Sequence, residues 1–213
     1  MNKIPLITIE NLSKGFKNKE VLKDINLKIY ENSITGIIGR NGSGKTVLLK
    51  IISGLYFQDN GSIIYNEKYS LNNDYGILID SGFLDNETGY ENLKTLALLR
   101  NKISDSDIID IIKWVGLNPF DKTKYKNYST GMKQKLRIAQ ALMENPKVLI
   151  LDEPFNGLDQ KSVDYFRNEL IKLKNEGVTI ILTSHYKEDI EKLCDKVYEM
   201  NEGIMKLYEM DKK

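Results

Sequence analysis

The stretch GRNGSGKT, Gly39 to Thr46, constrains the fold of this chain more than any other feature. It fits the pattern G-x-x-x-x-G-K-[ST]. It lies between a short apolar run, Ser33 to Gly39, and a segment with helical periodicity that Gly54 closes. A loop that wraps phosphate groups needs this strand–loop–helix setting, because the backbone N–H groups and the helix N-terminus supply partial positive charge. The sequence therefore predicts an α/β domain with a phosphate site.

Each residue type in this loop has a chemical reason. Gly39, Gly42 and Gly44 let the backbone approach phosphate oxygens closely. Lys45 is expected to reach the β- and γ-phosphates, and the Thr46 hydroxyl is expected to be a ligand of Mg²⁺. The other loop residues predicted to line the phosphates are Arg40, Asn41 and Ser43. A glycine-rich surface turn is the alternative, and the flanking strand and helix patterns disfavour it.

The remaining patterns place this loop in a larger architecture. The first part is strand-rich, with alternating apolar residues in LITIENL and INLKIY. From Tyr90 to Leu117 the periodicity is helical, with Trp114 on the apolar face, and a third helix is predicted from Thr130 to Leu142. Strands and helices then alternate up to a hairpin turn at Glu202-Gly203. This order predicts a mostly parallel sheet that carries a helical insertion.

Composition excludes several classes of protein. Lys and Arg (31) nearly balance Asp and Glu (30), so the net charge of +1 provides no broad basic field for nucleic acid. The single cysteine, Cys194, cannot form an internal disulfide and is interpreted as a small core residue. No apolar run approaches the ~18 residues of a membrane helix, so a membrane role would require a span from another polypeptide.

A second nucleotide element is KVLILDEP, Lys147 to Pro154. Its apolar strand carries Asp152 to the carboxyl edge of the sheet, where ligands bind in α/β folds. Asp152 is expected to hold Mg²⁺ directly or through water, and Glu153 to act as the general base for an attacking water. Many strands end in a carboxylate, so this motif alone is weak evidence for a nucleotide site. It becomes strong evidence in combination with Lys45.

His185, the only histidine, follows the strand-like run TIILTS. From position alone, a solvated or hydrogen-bonded structural histidine is the common interpretation. The alternative is a hydrogen-bond donor at the same sheet edge as Asp152 and Glu153. The order of the remaining motifs decides between these two interpretations.

Between the two nucleotide elements lies YSTGMKQKLRIAQALMENP, Tyr128 to Pro146. Here the chain resembles the ATP-binding-cassette (ABC) ATPases, in which an LSGGQ-like signature and a helix precede the strand that ends in Asp-Glu. The resemblance spans essentially the whole chain, in order. It implies one ABC ATPase domain over residues 1–213. It also implies a P-loop core with a mostly parallel sheet, an N-terminal antiparallel β subdomain, and an α-helical subdomain at about 82–143.

The resemblance assigns roles residue by residue. Phe16 stands where the family places an adenine-stacking aromatic, and Asp80 falls in the Q-loop region, near the metal. Ser129 and Gly131 belong to the signature, which in the family contacts the ATP of a second copy packed head to tail. Asp159 ends the D-loop motif NGLD and is expected at ATP. His185 matches the switch histidine, which in the family hydrogen-bonds the γ-phosphate. This match favours the functional interpretation of His185.

The chain departs from the common family pattern at three positions. Thr130 replaces a glycine and Met132 a glutamine, as in the branch of bacitracin- and lantibiotic-resistance exporters, which this sequence also resembles around YGILID. Asp80 stands where Gln or Glu is usual, and a proline that follows in that branch is missing. We expect Asp80 to bind the metal shell electrostatically when its loop closes; an ordinary solvated aspartate is the alternative.

The resemblance implies an ATP-binding and ATP-hydrolysing subunit with ATP and Mg²⁺ as cofactors. The branch implies export of an antimicrobial peptide, antibiotic or lipid-like substrate through a separate transmembrane permease. The chain is then expected as a homodimer, cytoplasmic and peripheral on the inner face of the cell membrane, without direct nucleic-acid contact. A non-transport ABC ATPase acting on ribosomes or chromosomes, and a P-loop kinase or an unrelated nucleotide-binding module, are the alternatives.

Overall fold

The computed structural model describes residues 5–17, 19–80 and 82–209, with backbone alone at 187–189. Within these ranges the chain forms nine strands and seven α-helices. The strands are β1 (Pro5–Phe16), β2 (Lys19–Tyr30), β3 (Ile34–Ile38), β4 (Asn60–Tyr65), β5 (Tyr75–Leu78), β6 (Val148–Leu151), β7 (Thr179–Ser184), β8 (Lys196–Asn201) and β9 (Ile204–Leu207). The helices are α1 (Lys45–Ile52), α2 (Leu71–Asp74), α3 (Gly89–Arg100), α4 (Asp105–Trp114), α5 (Thr130–Leu142), α6 (Gln160–Asn175) and α7 (Lys187–Leu193), with a 3₁₀ turn at Tyr125–Asn127.

A six-stranded sheet forms the centre of the molecule. Its order is β5-β6-β7-β3-β8-β9, and every pair is parallel except β8 with β9. Every residue of β3, β6 and β7 is buried, as expected for parallel strands that are covered on both faces. The predicted mostly parallel sheet is confirmed. Because these strands run side by side in one direction, their carboxyl ends deliver three loops to one edge.

The N-terminal strands form a separate antiparallel sheet, with the order β2-β1-β4. Alternate residues of β2, including Ile25, Leu27 and Ile29, are buried, which confirms the half-buried pattern of that segment. Both β1 and β2 are longer than their apolar patterns predict. Register shifts along their pairing, such as the one between Ile9 and Leu12, change which residues face inward and hide the continuity of the strands from a simple period-2 count.

The helical block lies in sequence between β5 and β6, which pair directly in the sheet. Its helices begin at capping residues: Thr88 and Ser104 form capping boxes for α3 and α4, and Ser129 caps α5. The predicted helix from Thr130 to Leu142 is confirmed with the same bounds. The packing interpretation of Trp114 is also confirmed, because its ring lies 5.8 Å from the rings of Tyr165 and Phe166.

The C-terminal hairpin supports the phosphate loop. Its predicted turn is confirmed, with Glu202 and Gly203 at φ 47° and 81°, and the Gly203 N–H donates to the carbonyl of Ser43 at 3.0 Å. Cys194 is buried beside Gly36 of β3, and burial raises the pKa of its thiol. Among the described residues, none of the helices combines the length and apolarity that crossing a bilayer requires.

Candidate functional site at the carboxyl edge of the parallel sheet

The loop Gly39–Thr46 connects β3 to α1, as the sequence predicts. Gly44 precedes α1 with φ 113°, and a Cβ there would lie 2.8 Å from Leu22 Cδ2, so this position requires glycine. A Cβ on Gly39 would lie 2.3 Å from the carbonyl oxygen of Met200. The loop therefore keeps its tight path because side chains are missing where the hairpin and β2 approach it.

Lys45 directs its ammonium group back across this loop. Its Nζ donates to the carbonyls of Gly39 at 2.7 Å and Arg40 at 3.3 Å, and lies 3.4 Å from Glu153 Oε1. The side chain is 6% exposed, so the charge is held in a site with little water. Such a cation, enclosed by the loop and facing a carboxylate, is suited to bind phosphate oxygens.

Asp152 is bound by two hydroxyls from different elements. Thr46 Oγ1 on α1 donates to Asp152 Oδ2 at 2.6 Å, and Thr183 Oγ1 on β7 donates to Asp152 Oδ1 at 2.6 Å. Hydroxyl and carboxylate oxygens are ligands that Mg²⁺ accepts, and it commonly binds through one or two carboxylates plus substrate phosphates. Among the described residues there is no group of three or more His, Cys, Asp or Glu suited to a metal.

Glu153 and His185 meet at the same edge. His185 Nδ1 lies 2.9 Å from Glu153 Oε2, and the His185 backbone N–H donates to the same oxygen at 3.3 Å. The other oxygen, Glu153 Oε1, is a buried atom that has no hydrogen-bond partner among the described residues, although Lys45 is close enough for an ion pair. Ser43 Oγ in the loop is likewise buried, and no described residue hydrogen-bonds to it. Unpaired polar atoms at a site are costly, so they fit a place that a polar ligand completes.

The signature and D-loop residues lie at helix starts. Ser129 is exposed, and its Oγ accepts the Met132 N–H at 3.2 Å, so it caps α5. Asp159 caps α6 by accepting the Ser162 N–H at 2.8 Å, and this hydrogen bond holds the pKa of its carboxyl below the usual value. Gly131 lies beside the D-loop, where a Cβ would be 3.2 Å from the Gly157 carbonyl. Contact of Ser129, Gly131 and Asp159 with a nucleotide stays a prediction.

Phe16 and Asp80 have other partners in this structure. Phe16 is 42% exposed, and its ring packs edge-on against Tyr56 with a centroid distance of 5.7 Å. Asp80 Oδ2 lies 2.7 Å from Lys50 Nζ at the end of α1, and its side chain is 72% exposed. This hydrogen bond raises the pKa of Lys50. The predicted roles of Phe16 at adenine and Asp80 at the metal stay predictions.

Comparison with known proteins places this geometry in a family. The model of a family described as "ABC transporter" matches residues 22–156. The chain belongs to the ABC transporter family. An ABC transporter ATP-binding protein of Bacillus subtilis, YybJ, is 41% identical over 210 residues, which cover 96% of each chain. The bacitracin transport ATP-binding protein BcrA of Enterococcus faecalis is 40% identical over 206 residues, which cover 93% of this chain and 67% of that protein.

Further comparisons confirm the family resemblance and the fold. The lantibiotic transport ATP-binding protein SrtF of Streptococcus pyogenes is 35% identical over 202 residues, which cover 93% of this chain and 88% of that one. The dimeric ATP-binding cassette MJ0796, solved with ADP and Pi in a post-hydrolysis state, superposes with a TM-score of 0.83 at 23% identity, covering 94% of this chain and 98% of that one. The ABC ATPase fold is therefore confirmed, and this chain is an ATP-binding subunit of an ABC transporter.

Four residues that the sequence did not single out take part in the ABC site. Thr183 binds Asp152 and also accepts the Glu153 N–H at 2.9 Å. Gln134 and Arg137 on α5 reach the backbone behind Glu153 and Ile79. Lys50 holds Asp80. Thr183 carries a weak sequence signal, since it interrupts an apolar run directly before Ser184-His185. Gln134 lies within the signature stretch that carries the family resemblance, whereas Lys50 and Arg137 sit in ordinary helical patterns.

Proposed function

We propose that this chain hydrolyses ATP and thereby powers export of an antimicrobial peptide, antibiotic or lipid-like molecule through a separate transmembrane permease. The observation that supports hydrolysis is the Glu153 carboxylate, which lies 3.4 Å from Lys45 Nζ and 2.9 Å from His185 Nδ1. The Thr46–Asp152 pair lies at the same sheet edge. A base, a phosphate-binding cation and oxygen ligands for a metal are the parts that phosphoryl transfer to water needs.

In the proposed reaction a water attacks the γ-phosphorus, the bond to the bridging oxygen breaks, and ADP and phosphate leave. Glu153 accepts the proton of the water, and His185 orients the carboxylate from its other side. Lys45 binds the β- and γ-phosphate oxygens, with the backbone of Gly39 to Thr46 around them. Mg²⁺, held by Thr46 and Asp152, would neutralise charge on the phosphates. Asp80 would be a further residue to hold the metal once its loop has moved away from Lys50.

The proposed active form is a head-to-tail pair of chains with two ATP molecules between them. Support comes from the exposed caps Ser129 and Asp159, which present a hydroxyl and a carboxylate at helix starts. The similar cassette MJ0796 is dimeric in its solved structures. In our proposal Ser129 and Gly131 of one copy close on the phosphates of the other, and Phe16 stacks on adenine. Closure then pushes on the permease at the inner face of the cell membrane.

The substitution Glu153→Gln tests the assignment of the base. It keeps the size of the side chain and removes the proton acceptor, so turnover should fall by about 10²–10⁴-fold while ATP binding persists. The variant should also accumulate as an ATP-bound dimer, measured by light scattering with size-exclusion chromatography. Hydrolysis at the wild-type rate would show that another group is the base.

Transport is tested separately, by identifying what co-purifies with the chain from its native membranes. A hydrophobic permease supports the proposal, and loss of export on Glu153→Gln would connect hydrolysis to it. Co-purifying ribosomal RNA would instead support a non-transport ABC ATPase. The cargo class is taken from the relatives named for bacitracin and lantibiotic transport, and the export direction from the branch that the sequence resembles.

A further inference from the structure

A buried amide on α5 joins three segments behind the Glu153 carboxylate. The Gln134 side chain is 4% exposed, and its Nε2 donates to the carbonyls of Glu153 at 3.1 Å and Pro154 at 2.9 Å. Its Oε1 accepts from Arg137 at 3.0 Å, and a second nitrogen of Arg137 donates to the carbonyl of Ile79 at 2.9 Å. The helix that begins at Ser129 is thereby tied to the loops that carry Glu153 and Asp80.

The backbone at Glu153 needs such support. Its φ of 48° is in the left-handed region, which a side chain with a Cβ rarely adopts. A residue keeps this conformation only where its surroundings hold it. Here the Glu153 N–H donates to Thr183 Oγ1 at 2.9 Å, and the Glu153 carbonyl accepts from Gln134. These two hydrogen bonds fix the peptides on both sides of the Cα and therefore the direction in which the carboxylate leaves the chain.

The chemistry of Gln134 matches this task. An amide has two N–H donors and one carbonyl, and all three are used here: the donors on two successive carbonyls after β6, and the carbonyl on Arg137 of the same helix. A buried polar side chain is tolerated when it is satisfied, but an apolar side chain of the same size would fill the space without that requirement. What an apolar residue could not do is hold the carbonyl of the proposed base and that of the residue after it.

We propose that Gln134 is a positioning residue for ATP hydrolysis, holding the Glu153 backbone so that its carboxylate faces the attacking water. Arg137 acts through Gln134, because it fixes the amide orientation and links it to Ile79, the residue before Asp80. The role rests on the proposed function. It also connects the position of the serine-bearing helix to the direction of the base, so that docking of a second copy on Ser129 acts on the carboxylate of the same chain.

Gln134→Met tests this role, because methionine keeps the length of the side chain and removes its hydrogen bonds. Turnover should fall about tenfold or more, as expected when a base is misdirected by a fraction of an ångström, while the Kd for a fluorescent ATP analogue stays within about twofold. Arg137→Met should give a smaller loss. The double variant should be no slower than Gln134→Met alone, since the two residues act in series. Gln140→Met, later on the same helix, is the matched control and should hydrolyse ATP normally.

A second measurement does not depend on turnover. The Asn156 N–H donates to the Glu153 carbonyl at 3.2 Å, so its hydrogen exchange should quicken in Gln134→Met and stay slow in Gln140→Met. Arg137→Met, which leaves Gln134 in place, provides both readouts if Gln134→Met does not fold.

Three results would overturn the inference. If Gln134→Met hydrolyses ATP at the wild-type rate while Glu153→Gln is inactive, Gln134 has no positioning role and the proposed function still holds. Equal losses of turnover, nucleotide affinity and thermal stability would indicate a general structural role. An inactive wild-type chain would instead show that the proposed function itself is wrong.

Discussion

The two ends of the proposed nucleotide site are built differently. At the phosphate end, Lys45 and His185 both contact the Glu153 carboxylate within a single chain, and Lys45 is almost fully buried. At the same sheet edge, Asp152 accepts a hydrogen bond from Thr46. At the serine end, Ser129 is exposed, and its hydroxyl oxygen accepts a hydrogen bond from a backbone N–H of its own helix. The difference indicates that one chain already assembles the proposed reacting groups, whereas Ser129 lies on an exposed surface, where the proposed second copy would dock.

The largest effect is expected at the phosphate end. Lys45→Ala removes a buried cation that makes charge-assisted hydrogen bonds, each contributing about 1.5–3 kcal/mol, so nucleotide affinity should fall about 100-fold or more. Titration with a fluorescent ATP analogue measures it. Lys172→Ala, at an exposed lysine paired with Glu169, is the control and should bind normally. A Kd for Lys45→Ala within about threefold of the wild-type value would show that Lys45 contributes little to nucleotide binding, and would contradict the proposed difference between the two ends.

A medium effect is expected at the serine end. Ser129→Ala should leave the affinity of the single chain for ATP nearly unchanged, yet lower turnover about tenfold or more, because a contact across the dimer is lost. Losing the cap should also cost about 1 kcal/mol of folding stability. Ser104→Ala is the control for the cap, since Ser104 Oγ also accepts the N–H of the third residue of its helix, there as one half of a capping box. Calorimetry should show a loss of folding stability for both variants, whereas ATPase assays should show a loss of turnover for Ser129→Ala alone. If the two variants hydrolyse ATP at the same rate, Ser129 acts only as a helix cap.

A smaller effect is expected for Asp80, which lies at the boundary of the phosphate end and is proposed to contact the metal. In the proposed cycle Lys50 and the metal shell compete for its carboxylate, which lies 2.7 Å from Lys50 Nζ. Asp80→Asn should therefore raise the Mg²⁺ concentration at half-maximal ATPase activity, and Lys50→Met should lower it, each by about threefold because an exposed ion pair contributes about 1 kcal/mol or less. Identical Mg²⁺ curves for all three proteins would identify Asp80 as an ordinary loop aspartate.

The smallest effect concerns the pH dependence of the D-loop cap. The Ser162 N–H holds the pKa of Asp159 below 3.8, the ordinary value for an aspartate. The charged cap therefore contributes stability above that value and loses it as pH falls through the lower, folded-state pKa. Asp159→Asn caps the helix without titrating. The difference in Tm between wild type and variant should therefore narrow between about pH 5 and about pH 2. A difference that stays constant with pH would show that the charge of Asp159 adds nothing to the cap.

Much of the fold followed from short-range patterns. The apolar run before Gly39 and the helical period after Thr46 located the phosphate loop, and the helix from Thr130 to Leu142 was predicted with its observed bounds. The short helix Leu71–Asp74 and the 3₁₀ turn Tyr125–Asn127 were not predicted, because segments of four residues or fewer show no periodicity. Strands β1 and β2 were underestimated, because their register shifts interrupt the alternation.

By itself the sequence determined the residue types of the site and their order along the chain, because phosphate binding demands glycines, a lysine and a hydroxyl at fixed spacing. Tertiary structure alone decided which side chains hold these groups in place. The left-handed turn at Glu153, its support by Gln134 and Thr183, and the pairing of Asp80 with Lys50 all join segments that are far apart in the chain. Such contacts leave no periodic trace in a sequence, since an interior hydrogen bond depends on where the fold brings two atoms together.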